Sequence, residues 1–450
     1  MIKYAAGVGA TIGVNAATRV VWRGGKYRPV VLTARDDHGV GQKIGSATSV
    51  SGYYATTALG LTYNASYGPF DLAWCRVSHA QTGISVSGGS GHTLRHLQVI
   101  NCDQGLVTSS VSAYAVRNGL FQGVNKAFSG SSTVTATHLT VNGGALRNAG
   151  QPTVTLQNSL LTGVSDVGGG YGADSQVLGS ASGVFQTVQQ GAHYLAAGSP
   201  YRNWSAALTT IDSGLLQDLR QLTTYPPVAL TSDFAVSTTL SPQAQRDVDT
   251  LDLGYHYLPL DYLVSGRSLA AGCTLLLTNG VSLGAHGSSM LTFQSGTARF
   301  VSEGTPARLN QLAYCGAVQE QPTAGSGIPG QWVNDYYNGA NQGYTVTLRF
   351  TGLALQGVAS RLTVAGPFTG TITLQDCQVT GMEWYVHNQS GWSYSPNVVF
   401  HNNVLERCTL DLSQGQGGVP GYLGLTWRNN LMRSGRWSCG TPTRPTGTGS

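Results

Sequence analysis

The stretch LRHLQVINCDQGL (residues 94–106) aligns with its neighbours in the chain, and this self-similarity decides the fold. The aligned segments are LAWCRVSHAQTGI (72–84), VRNGLFQGVNKAF (116–128), ATHLTVNGGAL (136–146) and LQNSLLTGVSDV (156–167). One column, here called the anchor column, is spaced by 22, 22, 20 and 20 residues and contains Trp74, His96, Asn118, His138 and Asn158. Three residues later the column is apolar, with Val77, Val99, Phe121, Val141 and Leu161. Such a repeat of short strands with inward apolar residues predicts an all-β parallel solenoid.

The same pattern returns near the C-terminus. The segments are LQDCQVTG (374–381), FHNNVLERC (400–408) and WRNNLMRSG (427–435). Their anchors are spaced by 26 and 27 residues and are Asp376, Asn402 and Asn429. The longer spacing indicates larger loops between strands, so a second solenoid with coils of up to about 27 residues is expected.

Composition supports β architecture and excludes several functions. Of 450 residues 61 are Gly, only 10% are charged and 41% are hydrophobic. Exposed helices usually carry Lys, Glu and Arg, which are scarce here. The net charge is +5 without a basic run, so nucleic acid is not an expected partner. No apolar stretch approaches the ~20 residues of a membrane span.

Seven cysteines are spread along the chain without CxxC or Cys/His metal spacing, so no zinc site is expected. Cys75 and Cys377 each follow an anchor by one residue, and Cys102 and Cys408 follow one by six. Unpaired cysteines usually fill cores, and we therefore predict buried thiols rather than disulfides.

The Asn-rich turns of the repeat resemble the right-handed parallel β-helix (pectin-lyase-like) superfamily. Three further segments are similar to the "GSPxxDxG…DxGxYxY" region that closes many secreted bacterial β-helix repeat proteins: HYLAAGSPYRN (193–203), TTIDSG (209–214) and LDLGYHY (251–257). VVLTARDDHGVG (30–41) and FVSEGTPARLNQLAYCGAVQEQ (300–321) look like segments of large, uncharacterised proteins of that kind. The resemblance implies a right-handed β-helix and a secreted or cell-surface location, but it specifies activity hardly at all.

We therefore predict four regions. They are a first β-helix (1–192), an interruption that we call the closing segment (193–262), a second β-helix (263–436) and a Thr/Pro/Gly tail (437–450).

Asp36, Asp37 and His38 form the first cluster that suggests chemistry. Polygalacturonases of the resembled superfamily carry an Asp-Asp pair and a separate His-Gly, joined by further motifs that are missing here. We expect a strand that ends in an Asx-type turn, with Gly39 at positive φ. A turn that also binds Ca²⁺ through Asp36 and Asp37, and a catalytic carboxylate pair, are the alternatives.

Two ladders of charged or polar residues follow the anchor column. Arg95 and Arg117 lie one coil apart and are expected to point outward into water, the alternative being a ladder for an anionic glycan. His96 and His138 are separated by a whole coil, about 9–10 Å, which is too far for one metal ion. A structural, hydrogen-bonded role is expected for both histidines.

Two aromatic stretches, QWVNDYYNGANQGY (331–344) and MEWYVHNQSGWSY (382–394), look like protruding loops. Their aromatic rings could stack on sugars and are Trp332, Tyr336, Tyr337, Trp384, Tyr385, Trp392 and Tyr394. Asp335 and Glu383 are the carboxylates considered for hydrolysis, which needs a pair at a defined separation. The alternative is that the aromatics fold back onto the solenoid or pack against a neighbouring module.

The sequence thus predicts a non-catalytic extracellular or cell-surface protein, acting as a rigid, fibre-forming or adhesin-like segment. Its expected partners are further copies or adjoining modules, with polysaccharide as a candidate ligand. No cofactor is expected apart from the Ca²⁺ alternative. A polysaccharide lyase or glycoside hydrolase of the same fold is the rival interpretation.

Overall fold

The structure is a computed structural model. It describes residues 1–450 except 8, 42, 46, 205–210, 288, 294–296, 324–330, 336–342, 356–360, 365–369, 387–396, 412–423 and 439–450. Within the described residues no helix is long and apolar enough to span a membrane.

The first solenoid consists of two parallel sheets wound side by side. Its strands are β1 (Ile2–Tyr4), β2 (Ala10–Val14), β3 (Val30–Ala34), β4 (Ala55–Thr62), β5 (Asp71–Ser78), β6 (Ala80–Ser87), β7 (His92–Ile100), β8 (Gln104–Ser109), β9 (Ala113–Gln122), β10 (Lys126–Ser129), β11 (Thr133–Asn142), β12 (Thr153–Gln157), β13 (Leu160–Thr162) and β14 (Gln176–Leu178). One sheet has the order β1-β3-β5-β7-β9-β11-β13-β14, with β12 also paired to β11, and the other has the order β10-β8-β6-β4-β2. Each strand pairs with its equivalent one coil away, as a parallel β-helix requires.

Backbone pairing confirms the repeat that the sequence predicts. Residues that directly precede the anchors lie opposite one another in the ladder: Ala73, Arg95, Arg117, Thr137 and Gln157. The apolar column three positions after the anchors also pairs in register: Val77, Val99, Phe121, Val141 and Leu161. The solenoid core is therefore built from the positions that the alignment selects.

The anchor residues make the corners of the coils. All five have left-handed φ angles between 49° and 57°, and so do Asp376, Asn402 and Asn429 of the second solenoid. Asn, Asp and His are enriched in this conformation. In β9 the corner at Asn118 shifts the inward-outward alternation, so that Val116 and Phe121 enter the core while Leu120 faces outward.

The closing segment begins within an antiparallel hairpin and includes one α-helix. The hairpin strands are β15 (Phe185–Val188) and β16 (Gly191–Leu195), and the helix is α1 (Ser213–Leu219). Asp212 caps α1 by accepting a hydrogen bond from Leu215 N at 3.0 Å. Arg117 lies 3.5 Å from Asp212, and Arg95 lies 3.0 Å from Asp71 and 4.0 Å from Asp218 of α1. The two arginines point outward as predicted, but they hold α1 against the solenoid instead of only facing water.

The second solenoid has three parallel sheets, and its first two strands already lie inside the closing segment (193–262). Its strands begin with β17 (Val228–Ala229), β18 (Thr238–Leu240), β19 (Tyr262–Val264), β20 (Arg267–Leu269), β21 (Thr274–Leu277), β22 (Ser282–Ala285), β23 (Ser289–Phe293), β24 (Arg299–Glu303), β25 (Asn310–Tyr314), β26 (Gln331–Asp335) and β27 (Thr345–Arg349). They continue with β28 (Thr351–Ala354), β29 (Arg361–Val364), β30 (Thr371–Gln375), β31 (Gln378–Thr380), β32 (Glu383–Val386), β33 (Asn397–His401), β34 (Val404–Glu406), β35 (Thr409–Asp411), β36 (Gly424–Arg428), β37 (Leu431–Arg433) and β38 (Arg436–Ser438). The sheet orders are β17-β19-β22-β25-β28-β31-β34-β37, β18-β21-β24-β27-β30-β33-β36 and β20-β23-β26-β29-β32-β35-β38.

The register of the second solenoid also matches the sequence repeat. Gln375, His401 and Arg428, each directly before an anchor, lie opposite one another, as do Val379, Leu405 and Met432. The fold is therefore a parallel β-helix solenoid in two modules, as the sequence predicts.

The cysteines of the described residues are free thiols. Cys75, Cys102, Cys315, Cys377 and Cys408 are buried, and Cys273 is half-buried. Burial raises the pKa of the Cys75, Cys102, Cys315 and Cys377 thiols to about 12. The prediction of buried thiols is confirmed for these residues, and Cys439 lies outside the described residues.

The two solenoids have separate cores, and a third apolar cluster lies between them. Ile100 and Leu120 of the first solenoid face outward into this cluster. They meet residues of the closing segment (Leu219 and Tyr257) and of the second solenoid (Leu263, Ala313 and Ala354). The solenoids therefore pack side by side, and this packing buries a sheet face that would otherwise meet water.

Candidate functional site

The contact between the solenoids, which we call the seam, holds the densest group of buried polar residues near the predicted sites. We define it as residues 190–194, 253–260 and 314–323 together with the outward face of β5, β7, β9 and β11. It is the candidate site because Asp37, His38 and the anchor Asn118 of the first solenoid hydrogen-bond to its backbone.

Glu320 is the carboxylate at the centre of the seam and is completely buried. Its Oε1 accepts a hydrogen bond from Ala192 N at 2.9 Å and lies 2.9 Å from His193 Nδ1. Its Oε2 accepts a hydrogen bond from the Tyr257 hydroxyl at 2.9 Å. Burial alone would raise the pKa of Glu320, but the hydrogen bonds and the charge of the His193 ring outweigh it, so the pKa lies below its usual value.

Arg76 crosses the seam next to Glu320. Its Nε donates to Gln98 Oε1 and its Nη1 donates to the Gly316 carbonyl, both at 2.6 Å. Gln98 in turn donates to the Tyr255 hydroxyl and to the Val318 carbonyl, both at 2.9 Å. Burial lowers the pKa of the Arg76 guanidinium from its ordinary value. These contacts tie β5 and β7 to the second solenoid through buried hydrogen bonds, which are costly to leave unmade.

The turn at Asp37 docks on the same side of the second solenoid. Asp37 Oδ1 accepts hydrogen bonds from Gly39 N at 2.8 Å and from Thr323 N at 3.3 Å, and its Oδ2 accepts one from Thr33 Oγ1 at 2.8 Å. His38 N donates to the Thr323 carbonyl at 2.6 Å. The predicted Asx-type turn after strand β3 is confirmed, and it holds a second segment of the chain as well as its own backbone.

Two details of the prediction for this turn are corrected. Gly39 does not have a positive φ, and the left-handed glycine is Gly41, at 61°. Asp36 is buried and accepts hydrogen bonds from the Tyr54 hydroxyl at 2.8 Å and from Arg35 Nε at 3.1 Å. The Arg35 hydrogen bond holds the pKa of Asp36 below its usual value. Both carboxylates are thus engaged inside the protein, and the described residues include no group of three His, Cys, Asp or Glu that could hold a metal ion.

A chain of polar side chains extends from the anchor column into the closing segment. His96 Nε2 lies 3.2 Å from Asp218 Oδ2, and its Nδ1 lies 3.1 Å from Asn118 Nδ2. Asn118 binds the backbone of His256 twice, accepting from its N–H at 2.7 Å and donating to its carbonyl at 2.9 Å. His256 Nε2 lies 2.6 Å from Asp247 Oδ2. The predicted hydrogen bonding is confirmed for His96, whereas neither ring nitrogen of His138 has a hydrogen-bond partner among the described residues, and Asn118 binds the closing segment rather than the next turn of its own solenoid.

His256 and Asp247 were not found from the sequence, although the LDLGYHY segment contains His256. Burial by itself lowers the pKa of His256, but the hydrogen bond and the charge of Asp247 outweigh it, and the pKa is raised. The edge of the neighbouring His138 ring packs against it, with centroids 5.1 Å apart. Burial and the charge of His256 keep the pKa of His138 well below its usual value.

We expect Asp247→Asn to cost the most stability at low pH and less as the pH rises. In the wild type the charged His256 stabilises the fold below its ordinary pKa of about 6.5, and this contribution is lost as the pH rises through the raised pKa. In the variant, burial without the charge of Asp247 lowers the His256 pKa, so the loss in the free energy of unfolding is largest at low pH. The difference in the free energy of unfolding between the two proteins, measured from about pH 6 to about pH 8.5, should therefore shrink with rising pH. A difference that grows with pH would contradict this assignment.

The two carboxylates considered for hydrolysis lie on strands and not in loops. Asp335 ends β26 and Glu383 begins β32, two coils further along the same sheet. The register places Asp335 three positions from the Glu383 row. Their Cα atoms are therefore roughly 14 Å apart, from two strand spacings and three residue rises.

The aromatic stretches also differ from the prediction where the structure describes them. Trp384 is 1% exposed and packs edge-on against Phe400, with ring centroids 5.5 Å apart. Tyr344 is completely buried and stacks on Phe293 at 4.5 Å. Trp384 therefore offers no ring face to a sugar. Trp332 and Tyr385 lie in β26 and β32 with side chains outside the description, and the remaining candidates lie outside the described residues: Tyr336, Tyr337, Trp392 and Tyr394.

Trp384→Phe is expected to act on stability rather than on sugar binding. Replacing the buried indole by a smaller ring leaves a cavity, and a loss of about 1–2 kcal/mol in the free energy of unfolding is expected. Urea denaturation measures it, with the more exposed Trp437→Phe as the control, for which about 0.5 kcal/mol or less is expected. Wild-type stability combined with weakened glycan binding would contradict the buried position.

Comparisons with known proteins add little to this geometry. No family model matches the chain, and no curated protein sequence matches it. Among solved structures, the PL6 family alginate lyase AlyGC is similar over 86% of this chain and 73% of that chain, at 11% sequence identity and a TM-score of 0.18. A similarity at this TM-score carries no argument about the function of this chain.

Proposed function

We propose that this protein is a non-catalytic, rigid segment of an extracellular or cell-surface protein, with a structural or adhesin-like role. The observation that supports it best is the seam, where Glu320, Arg76 and Asp37 are used to join the solenoids. A seam of completely buried, hydrogen-bonded polar groups tolerates little displacement. Two solenoids held in this way form a stiff unit of the kind that a spacer or an adhesin needs.

The positions of the acidic residues are a second support. Asp36, Asp37 and Glu320 are buried in hydrogen bonds, and the Cα atoms of Asp335 and Glu383 lie about 14 Å apart by backbone register. General acid–base catalysis needs groups that reach the substrate together. The rival function, a polysaccharide lyase or glycoside hydrolase, gains no specific observation from this arrangement.

The last coil of the second solenoid supports contact with further copies or modules. Within the described residues β36, β37 and β38 each pair on one side only. Leu431 and Trp437 on this coil are 61% and 39% exposed. Unpaired strand edges with apolar side chains favour association with another strand. End-to-end contact is thus part of the proposal, as is membership of the pectin-lyase-like superfamily, which the left-handed Asn corners support.

The proposal is tested by looking for cleavage and for assembly. The purified chain is incubated with acidic and neutral polysaccharides, and unsaturated products and new reducing ends are measured. We expect neither. Electron microscopy over a range of protein concentrations is expected to show rods joined end to end. Product formation that disappears in Glu383→Gln or Asp335→Asn would overturn the non-catalytic function, and isolated rods at every concentration would overturn end-to-end assembly.

A further inference from the structure

A basic groove lies beside the seam, where the first coil of the first solenoid faces the second solenoid. Its volume is about 1020 Å³, at the upper end of the range for ligand sites. One wall comes from the chain before and after β1 and β3, and the other comes from the corners that follow β31, β34 and β37. The groove exists only because the two solenoids are packed together. Its charged lining residues are Lys3, Arg23, Arg28, Glu406, Arg407 and Arg433.

The positive charges of this groove outnumber its negative charges. Glu406 is the one acidic residue of the described lining, with Arg28 Nη1 at 2.9 Å and Arg407 Nε at 3.8 Å from its carboxylate oxygens. Arg433 lies opposite Glu406 in the strand ladder. In the part of the chain that the structure describes, no carboxylate pairs with the exposed side chains of Arg23 and Arg433. Two guanidinium groups, one on each wall, therefore remain available for an anion.

The chain around the groove strengthens this field. The first 70 residues contain seven Lys and Arg but only two acidic residues, so their charge of +5 equals that of the whole chain. The two acidic residues are Asp36 and Asp37, which are buried in the hydrogen bonds described above. A cleft lined by one sign of charge attracts ligands of the opposite sign.

The groove also has an apolar surface. The Trp22 ring lines it and is held in place by a hydrogen bond from its Nε1 to the Ala73 carbonyl at 2.7 Å. The exposed side chains of Val21 and Ile44 lie in the same groove. Planar guanidinium groups fit carboxylate and sulfate groups through paired hydrogen bonds, and an indole face suits the apolar face of a sugar ring. A few cations in a compact groove, without a run that follows a phosphate backbone, favour a glycan over a nucleic acid.

We propose that this groove binds an acidic polysaccharide, with Arg23 and Arg433 on its carboxylate or sulfate groups and Trp22 against a sugar ring. The inference rests on the proposed non-catalytic role and names the partner that an adhesin-like segment would hold. Binding is non-covalent, and it requires both solenoids because each one supplies a guanidinium group.

The test measures binding of defined oligosaccharides to the full chain by titration calorimetry. The probes are an oligogalacturonate for carboxylates, a heparin-derived oligosaccharide for sulfates, a neutral malto-oligosaccharide and a single-stranded oligonucleotide of matched charge. We expect one or both acidic glycans to bind, and to bind more weakly at higher salt. Arg23→Gln and Arg433→Gln should each weaken binding about fivefold, and the double variant about twentyfold, since each removes a charge-assisted contact in a partly exposed site.

Arg299→Gln is the matched control, because Arg299 is exposed on β24 and away from the groove. It should bind like the wild type. Arg23→Lys and Arg433→Lys keep the positive charge but lose the paired N–H donors of the guanidinium group, so an intermediate loss of affinity is expected. These variants replace the Gln variants if a Gln variant does not fold. The proposal is overturned if neither acidic glycan binds, if the oligonucleotide binds as tightly, or if Arg299→Gln weakens binding as much as the groove variants.

The same samples separate this proposal from the proposed function. If the glycan binds, the groove variants weaken its binding and the glycan is also cleaved, then glycan binding in the groove is supported and the non-catalytic function is contradicted. If nothing binds and no product forms, the groove fails and the structural function stands.

Discussion

Glu320→Ala is expected to lower the free energy of unfolding by about 3–5 kcal/mol, the range for breaking a buried charged pair by removing one partner. The variant leaves His193, the Ala192 N–H and the Tyr257 hydroxyl buried without their acceptor. Each such group costs about 1–3 kcal/mol when it is desolvated without a partner. The seam should therefore be the first part of the protein to lose its structure.

Urea denaturation of the wild type and the variant measures this loss. Glu303→Ala is the control, since Glu303 is an exposed residue of the same type on β24, and a change of about 0.5 kcal/mol or less is expected for it. The lowered pKa of Glu320 adds a pH signature. Its stabilising contribution is present above the ordinary pKa and is lost as the pH falls through the lowered one, so the wild type should approach the variant in acid. Equal losses for Glu320→Ala and Glu303→Ala would contradict the central role of Glu320.

Asn118→Ala is expected to lower the free energy of unfolding by about 3–4 kcal/mol. The change removes the side chain that binds both the N–H and the carbonyl of His256, and two unpaired buried groups cost at least about 2 kcal/mol together. It also replaces Asn, which adopts the left-handed region more readily than most residues, by alanine at a φ of 54°, where an ordinary residue costs about 1–2 kcal/mol relative to the right-handed region.

Two controls separate these causes. Asn402 has nearly the same φ, 57°, but is exposed, and its Nδ2 donates to Asp376 Oδ1 at 3.1 Å instead of to a buried backbone. Because this hydrogen bond is open to water, Asn402→Ala should show mainly the backbone cost, about 1–2 kcal/mol. Asn118→Gly keeps the left-handed corner and loses the hydrogen bonds, so it should be less damaging than Asn118→Ala by about 1 kcal/mol. Urea denaturation of the three variants gives the comparison. If Asn118→Ala and Asn402→Ala were equally destabilising, the contact with His256 would not hold the closing segment.

The solenoids could be predicted because their information is local and repeated. The anchor at Asn118 and its equivalents recur at coil spacing, and the apolar residue three positions later follows each of them. A left-handed corner needs a residue that tolerates positive φ, and the next strand needs an inward apolar residue. Both demands recur in every coil, so an alignment of the chain with itself reveals them.

The seam could not be predicted in the same way, since its contacts join positions that occur once and lie far apart. Arg76 and Gly316 are 240 residues apart, and His193 and Glu320 are 127 apart. Neither spacing nor composition marks such pairs. The Asp36-Asp37-His38 sequence indicated a turn, but it did not indicate that this turn binds the backbone of Thr323. Glu320 is the single charged residue of the largely apolar stretch LAYCGAVQEQ (312–321), and this is a sequence signal that could have suggested an internal site.

The expectation of protruding aromatic loops is wrong for Trp384, whose buried position instead agrees with the alternative that the aromatics fold back onto the solenoid. EWYV (383–386) lies in a long coil rich in polar residues, and its aromatic content suggested an exposed loop. The structure makes it strand β32, whose alternation turns Trp384 inward onto Phe400. Large coils leave room for large side chains inside, and a wide solenoid core can accept an indole. The density of Trp and Tyr was therefore not sufficient evidence of a surface platform.

The central claim is that the seam joins the two solenoids into one rigid unit, and hydrogen exchange of the wild-type chain tests it most directly. Peptides that cover residues 190–195 and 254–257 would be followed by mass spectrometry, with β8, which lies in the sheet away from the seam, as the reference for a core strand and residues 64–68 as the reference for a surface turn. We expect the seam peptides to exchange as slowly as β8. Exchange as fast as that of the surface turn would show that the seam opens freely, and the rigid two-solenoid unit would be contradicted.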